Sequence, residues 1–160
     1  MVLAIAGSLA SGCGAERSTV NEQEAGRRVL DEMNQMLALF QQPKPRLVST
    51  HVYGEKLERM PCSDVGSKPN GMVSLSQDYE LHDLDLDPAK SLDYFAKVRA
   101  LWNSRGFSVT DEELPTVENK NYGSIGAKKS DGFGVRIYSN DQFVSLISAS
   151  PCVWPKGHPE

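Results

Sequence analysis

Apolar residues at three-and-four spacing open the patterned part of the chain. In NEQEAGRRVLDEMNQMLALFQQP, Val29, Met33, Met36, Leu37 and Phe40 fall on one stripe of a helix. Asn21 and Glu24 stand at the spacing of a capping pair, and Pro43 closes the run. The methionines on that stripe are read as core, because flexible thioethers fill gaps between packed elements. PRLVSTHVY then predicts a first strand, and GEKLERMPCSDVGSKPNG, broken by glycine and proline, a long connection. MVSLSQDYEL alternates cleanly. Val73, Leu75, Tyr79 and Leu81 share one face, and Ser74, Ser76, Asp78 and Glu80 the other, as in a strand with one wet side.

Asp87-Pro88 opens a second helix, with aspartate capping and proline in the first turn. Leu92, Phe95, Val98 and Trp102 make its expected buried stripe, and Gly106 suits a left-handed stop. FSVTDEELP is a further strand candidate. NYGSIGAKK, FGVRIYS and QFVSLISAS read as a meander, turning at Ser130-Asp131-Gly132 and Asn140-Asp141. Within it Phe133, Val135 and Ile137 alternate inward. The short links favour an α+β fold, an antiparallel sheet of about five strands with two helices packed on one face, in the order α-β-β-α-β-β-β.

A chain of 160 residues has room for one domain with a core and is short for two. Its net charge is −4 with no long basic block, only pairs such as Arg27-Arg28 and Lys128-Lys129, which argues against a nucleic-acid partner. No stretch approaches the ~20 apolar residues of a spanning helix. The run Val2 to Ala10 is nevertheless apolar or small, about the length of a secretory apolar region. It leads into Leu9-Ala10-Ser11-Gly12-Cys13, which resembles a bacterial lipobox. That resemblance implies cleavage between Gly12 and Cys13 and an acylated Cys13 as the mature N-terminus, several chains giving the hold that one cannot sustain. Ala10 stands where leucine is favoured, and no lysine or arginine precedes the apolar run. The expectation is that Met1 is an internal start and the leader begins upstream. The organisation expected is therefore a signal peptide over 1–12, a tether over 13–20, one globular domain over 21–155 and a tail over 156–160.

Cys62 and Cys152 each follow a proline. On the outer side of a membrane such a pair oxidises and stays oxidised. Bridged, they would close a loop of roughly 90 residues, worth about 4 kcal/mol in chain-entropy terms. The mature chain also resembles small lipobox-bearing lipoproteins of high-GC Gram-positive bacteria. The resemblance rests on Pro61-Cys62, the helix SLDYFAKVRALWNSRGFSVT, the strand DGFGVRI and the closing SASPCVW, over roughly residues 60 to 154. It implies a place in the cell envelope, on the extracytoplasmic side of the cell membrane, and a disulfide; it implies no mechanism.

Catalytic patterns are absent. His51, His82 and His158 are scattered, and HVYGE lacks the second histidine that would make His51 and Glu55 a zinc pair. Asp83, Asp85 and Asp87 would begin a calcium loop, but Pro88 and Tyr94 occupy the places needing glycine and glutamate. There is no nucleophile elbow, Ser-x-x-Lys pair or phosphate-cradling loop. Asp64 and Asp111 could partner other acids in a cleft, but nothing in the sequence selects them. No catalytic residue, metal or cofactor is expected. The reading is a lipid-anchored extracytoplasmic domain that binds an envelope protein or a small apolar ligand. The alternative, an enzyme with a site not visible as a motif, would show a histidine beside two carboxylates.

Overall fold

A computed structural model describes residues 20–40, 45–49, 57–63, 69–84, 86, 88–114 and 123–157. Helix α1 spans Glu22–Leu37. Asn21 caps it by accepting the Glu24 N–H at 2.9 Å, and Glu22 and Glu24 place negative charge at its positive end. One 3-10 turn, Ala38–Phe40, then carries Phe40 into the core. Helix α2 spans Pro88–Ser104 and stops at Gly106, whose φ of +79° is open to glycine at no steric cost.

The strands are β1 (Arg46–Ser49), β2 (Glu58–Ser63), β3 (Pro69–His82), β4 (Ser108–Glu113), β5 (Gly123–Lys128), β6 (Gly134–Ser139) and β7 (Val144–Ala149). They form one antiparallel sheet in the order β1-β3-β7-β6-β5-β4, with β2 also paired to β3. The fold is α+β, with seven strands where the sequence pattern predicts about five. The order accordingly becomes α-β-β-β-α-β-β-β-β. Of the two additional strands, one is accounted for by β4, which forms from the further candidate FSVTDEELP; the one the pattern misses is β2, which lies inside the expected long connection and carries Cys62. Its residues, ERMPCS, do not alternate, and its pairing to β3 is a backbone affair that tolerates Pro61 at a sheet edge.

β3 is 14 residues long, enough for β1 and β2 to share one of its edges end to end. Its other edge takes β7 and, beyond it, an isolated bridge from Val73 to Val153. Cys62 and Cys152, one beside each flank of β3, are joined by a disulfide with a Cα–Cα separation of 6.1 Å.

Both helices cover the same sheet face. Met33, Met36 and Phe40 meet Phe95, Val98 and Trp102 over Leu81, Ile125, Ile137, Val144 and Leu146. A smaller cluster, Ala25, Val29, Val73, Leu75, Phe133 and Val153, fills the other end. Gln77 lies on β3 between Leu75 of the one cluster and Leu81 of the other, register partner to Ser148. Both side chains are buried, and the Gln77 amide and Ser148 hydroxyl make no hydrogen bond. The buried stripe of α2 runs Ser91, Tyr94, Phe95, Val98 and Trp102. Leu92, expected in it, is 40% exposed: at 100° per residue it stands at the margin of a stripe centred on Phe95 and Val98.

Charged groups clamp the far side of α1. Glu32 is buried and accepts from Arg105 Nε and Lys129 Nζ, each at 2.7 Å, while Arg105 also holds Asp31. The Lys129 ammonium sits 4.4 Å from the centre of the Phe107 ring. Arg28 pairs with Asp131 in the β5–β6 turn and lies over the Phe133 ring. Among the described residues no helix is long and apolar enough to cross a membrane.

Candidate functional site

No described element packs on the opposite face of the sheet. Strand alternation and register place its residues on a grid. One row runs Glu58, Ser76, Ala149, Gly134, Lys128, Ser108. The next runs Asp78, Ile147, Arg136, Gly126, Asp111. A third runs Val48, Glu80, Ser145, Tyr138, Ser124, Glu113. Arg46 and His82 begin a fourth, which Phe143 continues through its ring contact with His82.

Two features break the flatness. Toward β4, Gly126, Gly134, Ile147 and Ala149 floor an open groove of about 370 Å³, bordered by Thr110, Lys128 and Arg136. The Arg136 guanidinium is fixed there by Asp111 at 2.8 Å and the Ser124 hydroxyl at 2.8 Å. A Cβ at Gly126 would meet the Asp111 carboxylate, so a larger residue there would push Asp111 away from Arg136.

Toward β1, Ser145 makes a low point between larger neighbours. Glu80 and Tyr138 flank it directly across the strands, and Phe143 and Ile147 flank it along its own strand. Ser145 is only 8% exposed, and its hydroxyl donates to Asp78 Oδ1 at 3.2 Å. The rings of His82 and Phe143 lie 5.5 Å apart, and those of Phe143 and Tyr138 6.3 Å apart, both tilted. His82 Nε2 is 2.9 Å from Glu80 Oε2, so this carboxylate is held against the aromatic edge of the notch.

The residues singled out in the sequence are dispersed. Gly12 and Cys13, like His51, Glu55, Asp64, Asp85, Asp87 and His158, lie outside the described residues. Asp83 adopts a left-handed φ of +63° and pairs with Arg46, and Asp111 pairs with Arg136. His82 is bonded to one carboxylate, Glu80. No group of three metal-ligating side chains occurs among the described residues. Of the notch residues only His82 was singled out as candidate chemistry by sequence. Alternation does place Asp78 and Glu80 on a wet face, but Ser145 lies 65 positions beyond Glu80 in the numbering and joins it only through the β3–β7 register.

No family model, curated protein or solved structure matches this chain.

Proposed function

We propose that this chain is a lipid-anchored extracytoplasmic binding module that presents the uncovered face of its sheet to a protein of the cell envelope. The observation that carries the reading is the contrast between the two faces. One is filled by α1 and α2 through residues as large as Trp102 and Phe95. Among the described residues nothing packs on the other, which carries a small-residue groove and a half-buried aromatic cluster. An antiparallel sheet keeps one face for its core and leaves the other to solvent or to a partner. The Cys62–Cys152 disulfide supports a place in an oxidising compartment, and the lipobox-like segment ending at Cys13 supports an anchor there. With its interior face occupied by its own side chains, binding falls to the surface.

Two measurements test this. Intact mass of the protein from the membrane fraction should show a lipid increment on a chain beginning at Cys13, with two thiols appearing only on reduction. Photo-crosslinkers at Ser108 and Ser124, on the sheet face opposite the helices, should trap an envelope protein that crosslinkers at Asn34 and Gln35, on the exposed side of α1, do not. An unlipidated chain with three free thiols, or equal capture from both faces, would overturn the reading.

A further inference from the structure

We infer that the notch over Ser145 receives the side chain of a lysine from the partner protein; this rests on the binding-module reading above. Three observations meet there. The first is shape: Ser145 is a small side chain set among larger ones, with Glu80 and Tyr138 directly across the strands and Phe143 and Ile147 before and after it. The second is the wall chemistry. Phe143 and Tyr138 present partly exposed π faces, which attract cations, and a cation seated at their junction touches both. The third is charge. Glu80 and Asp78 border the notch, Glu80 held toward the rings by His82 and Asp78 toward the floor by the Ser145 hydroxyl.

The electrostatics of the whole face point the same way. Its strand positions carry carboxylates at Glu58, Asp78, Glu80, Asp111 and Glu113 against cations at Arg46, Lys128 and Arg136. Arg136 is neutralised within the face by Asp111, and Arg46 by Asp83 beyond the end of β3. A partner surface complementary to this one is basic. A second copy of this chain, itself acidic at −4, would meet like charge. A narrow depression between two carboxylates suits a compact ammonium on an apolar stem, whose methylenes lie along Ile147 and the rings, better than a planar guanidinium.

The test is an NMR titration of the oxidised full chain with Nα-acetyl-lysine methylamide. Its neutral counterpart Nα-acetyl-norleucine methylamide and choline serve as controls. The lysine probe should shift the ring signals of Phe143 and Tyr138 and the Ser145 amide, with millimolar affinity that weakens with salt, and the norleucine probe should not. Glu80→Gln should weaken it by about threefold or more, and Phe143→Leu, which keeps bulk and removes the π face, by a similar factor. Ser145→Leu should abolish it by filling the notch. Equal shifts with the norleucine probe, or full affinity in Glu80→Gln, would overturn the cation site. Tighter binding of choline than of the lysine probe would overturn the protein partner in favour of a small cation. Crosslinks from Ser108 and Ser124 that persist while the lysine probe fails would leave the binding module standing without this notch. Lysine binding without any such crosslinks would overturn the module reading instead.

Discussion

Cys62 and Cys152 meet across a strand that belongs to neither of them. Val73 of β3 pairs with Pro61 on one edge and with Val153 on the other, so the two cysteines start from opposite flanks. Strands on either side of a third lie about 9.5 Å apart, twice the usual spacing. The observed 6.1 Å therefore requires the flanking chains to draw together over β3. The register shift between Pro61 and Ser63 provides the bend on the β2 side. The bridge acts as a strap that fixes β2 and the segment after β7 to the long central strand.

Removing the strap should cost stability and should loosen one end first. Cys152→Ser should lower stability by about 2–4 kcal/mol, read from denaturant midpoints. The paired hydrogen bonds between Val73 and Val153, at 2.9 and 2.8 Å, should open earliest in amide exchange. A melting curve identical to that of the parent would show that the pair contributes no constraint.

The polar seam under α1 makes the opposite prediction. Gln77 is fully buried with both amide atoms unpaired, beside an unpaired Ser148 hydroxyl. Replacing a buried unpaired polar group by an apolar one of similar size is neutral or favourable. Gln77→Met should thus raise stability by about 1 kcal/mol, read as a higher denaturant midpoint with an unchanged slope. Loss of stability in this variant would mean that the amide has a partner in solution.

Local signals were readable where neighbours in sequence are neighbours in space. The Asn21 cap, the Gly106 stop, the β5–β6–β7 meander and the wet side of β3 all follow from residues a few positions apart. β2 was not readable, because Pro61, Arg59 and the glycines around it suppress the strand pattern and its pairing comes from the edge that β3 offers. Leu92 went astray by one helical step, since an apolar residue at a stripe's margin has the same letter as one at its centre. Burial of Glu32 depends on Arg105 and Lys129, both more than seventy residues away, and no local pattern announces it. The same holds for the notch, whose parts belong to three strands.

Glu32 should be the most sensitive charge in the chain. Its Arg105 and Lys129 partners are themselves only about a quarter exposed, and Arg105 keeps Asp31 when Glu32 is lost. Its hydrogen bonds to Glu32 and Asp31 hold the Arg105 guanidinium above its ordinary pKa against the opposing effect of burial. Glu32→Gln should cost about 1–3 kcal/mol, less than a fully buried pair because of the remaining exposure. Restoring most of that loss by adding Lys129→Met would establish the coupling in a double-mutant cycle.

Asp131 gives a pH signature. Burial acts to raise its carboxyl pKa, but the hydrogen bond and charge of Arg28, the Phe133 N–H and nearby Lys129 outweigh it and leave the pKa below the ordinary aspartate value. A carboxyl depressed in this way stabilises the fold fully above the unfolded value of about 3.9, and the contribution disappears as pH falls through the folded value. With its side chain 44% exposed, the pair is screened by solvent. Asp131→Asn should cost about 0.5 kcal/mol at neutral pH, and parent and variant should converge in acid. A gap that persists below pH of about 2 would assign the effect to the turn rather than to the charge.

α1 is the first element of the fold, yet it rests on β3 and on β7, the last strand to be made. β3 in turn has no partner on that edge until β7 arrives, more than sixty residues later in the numbering. The opening helix is therefore a tenant without a floor for almost the whole of synthesis, and long-range pairing of this kind is slow to nucleate. Until that last strand is made, the apolar face of α1 has no complete surface to rest on, so the helix takes its place last although it is made first.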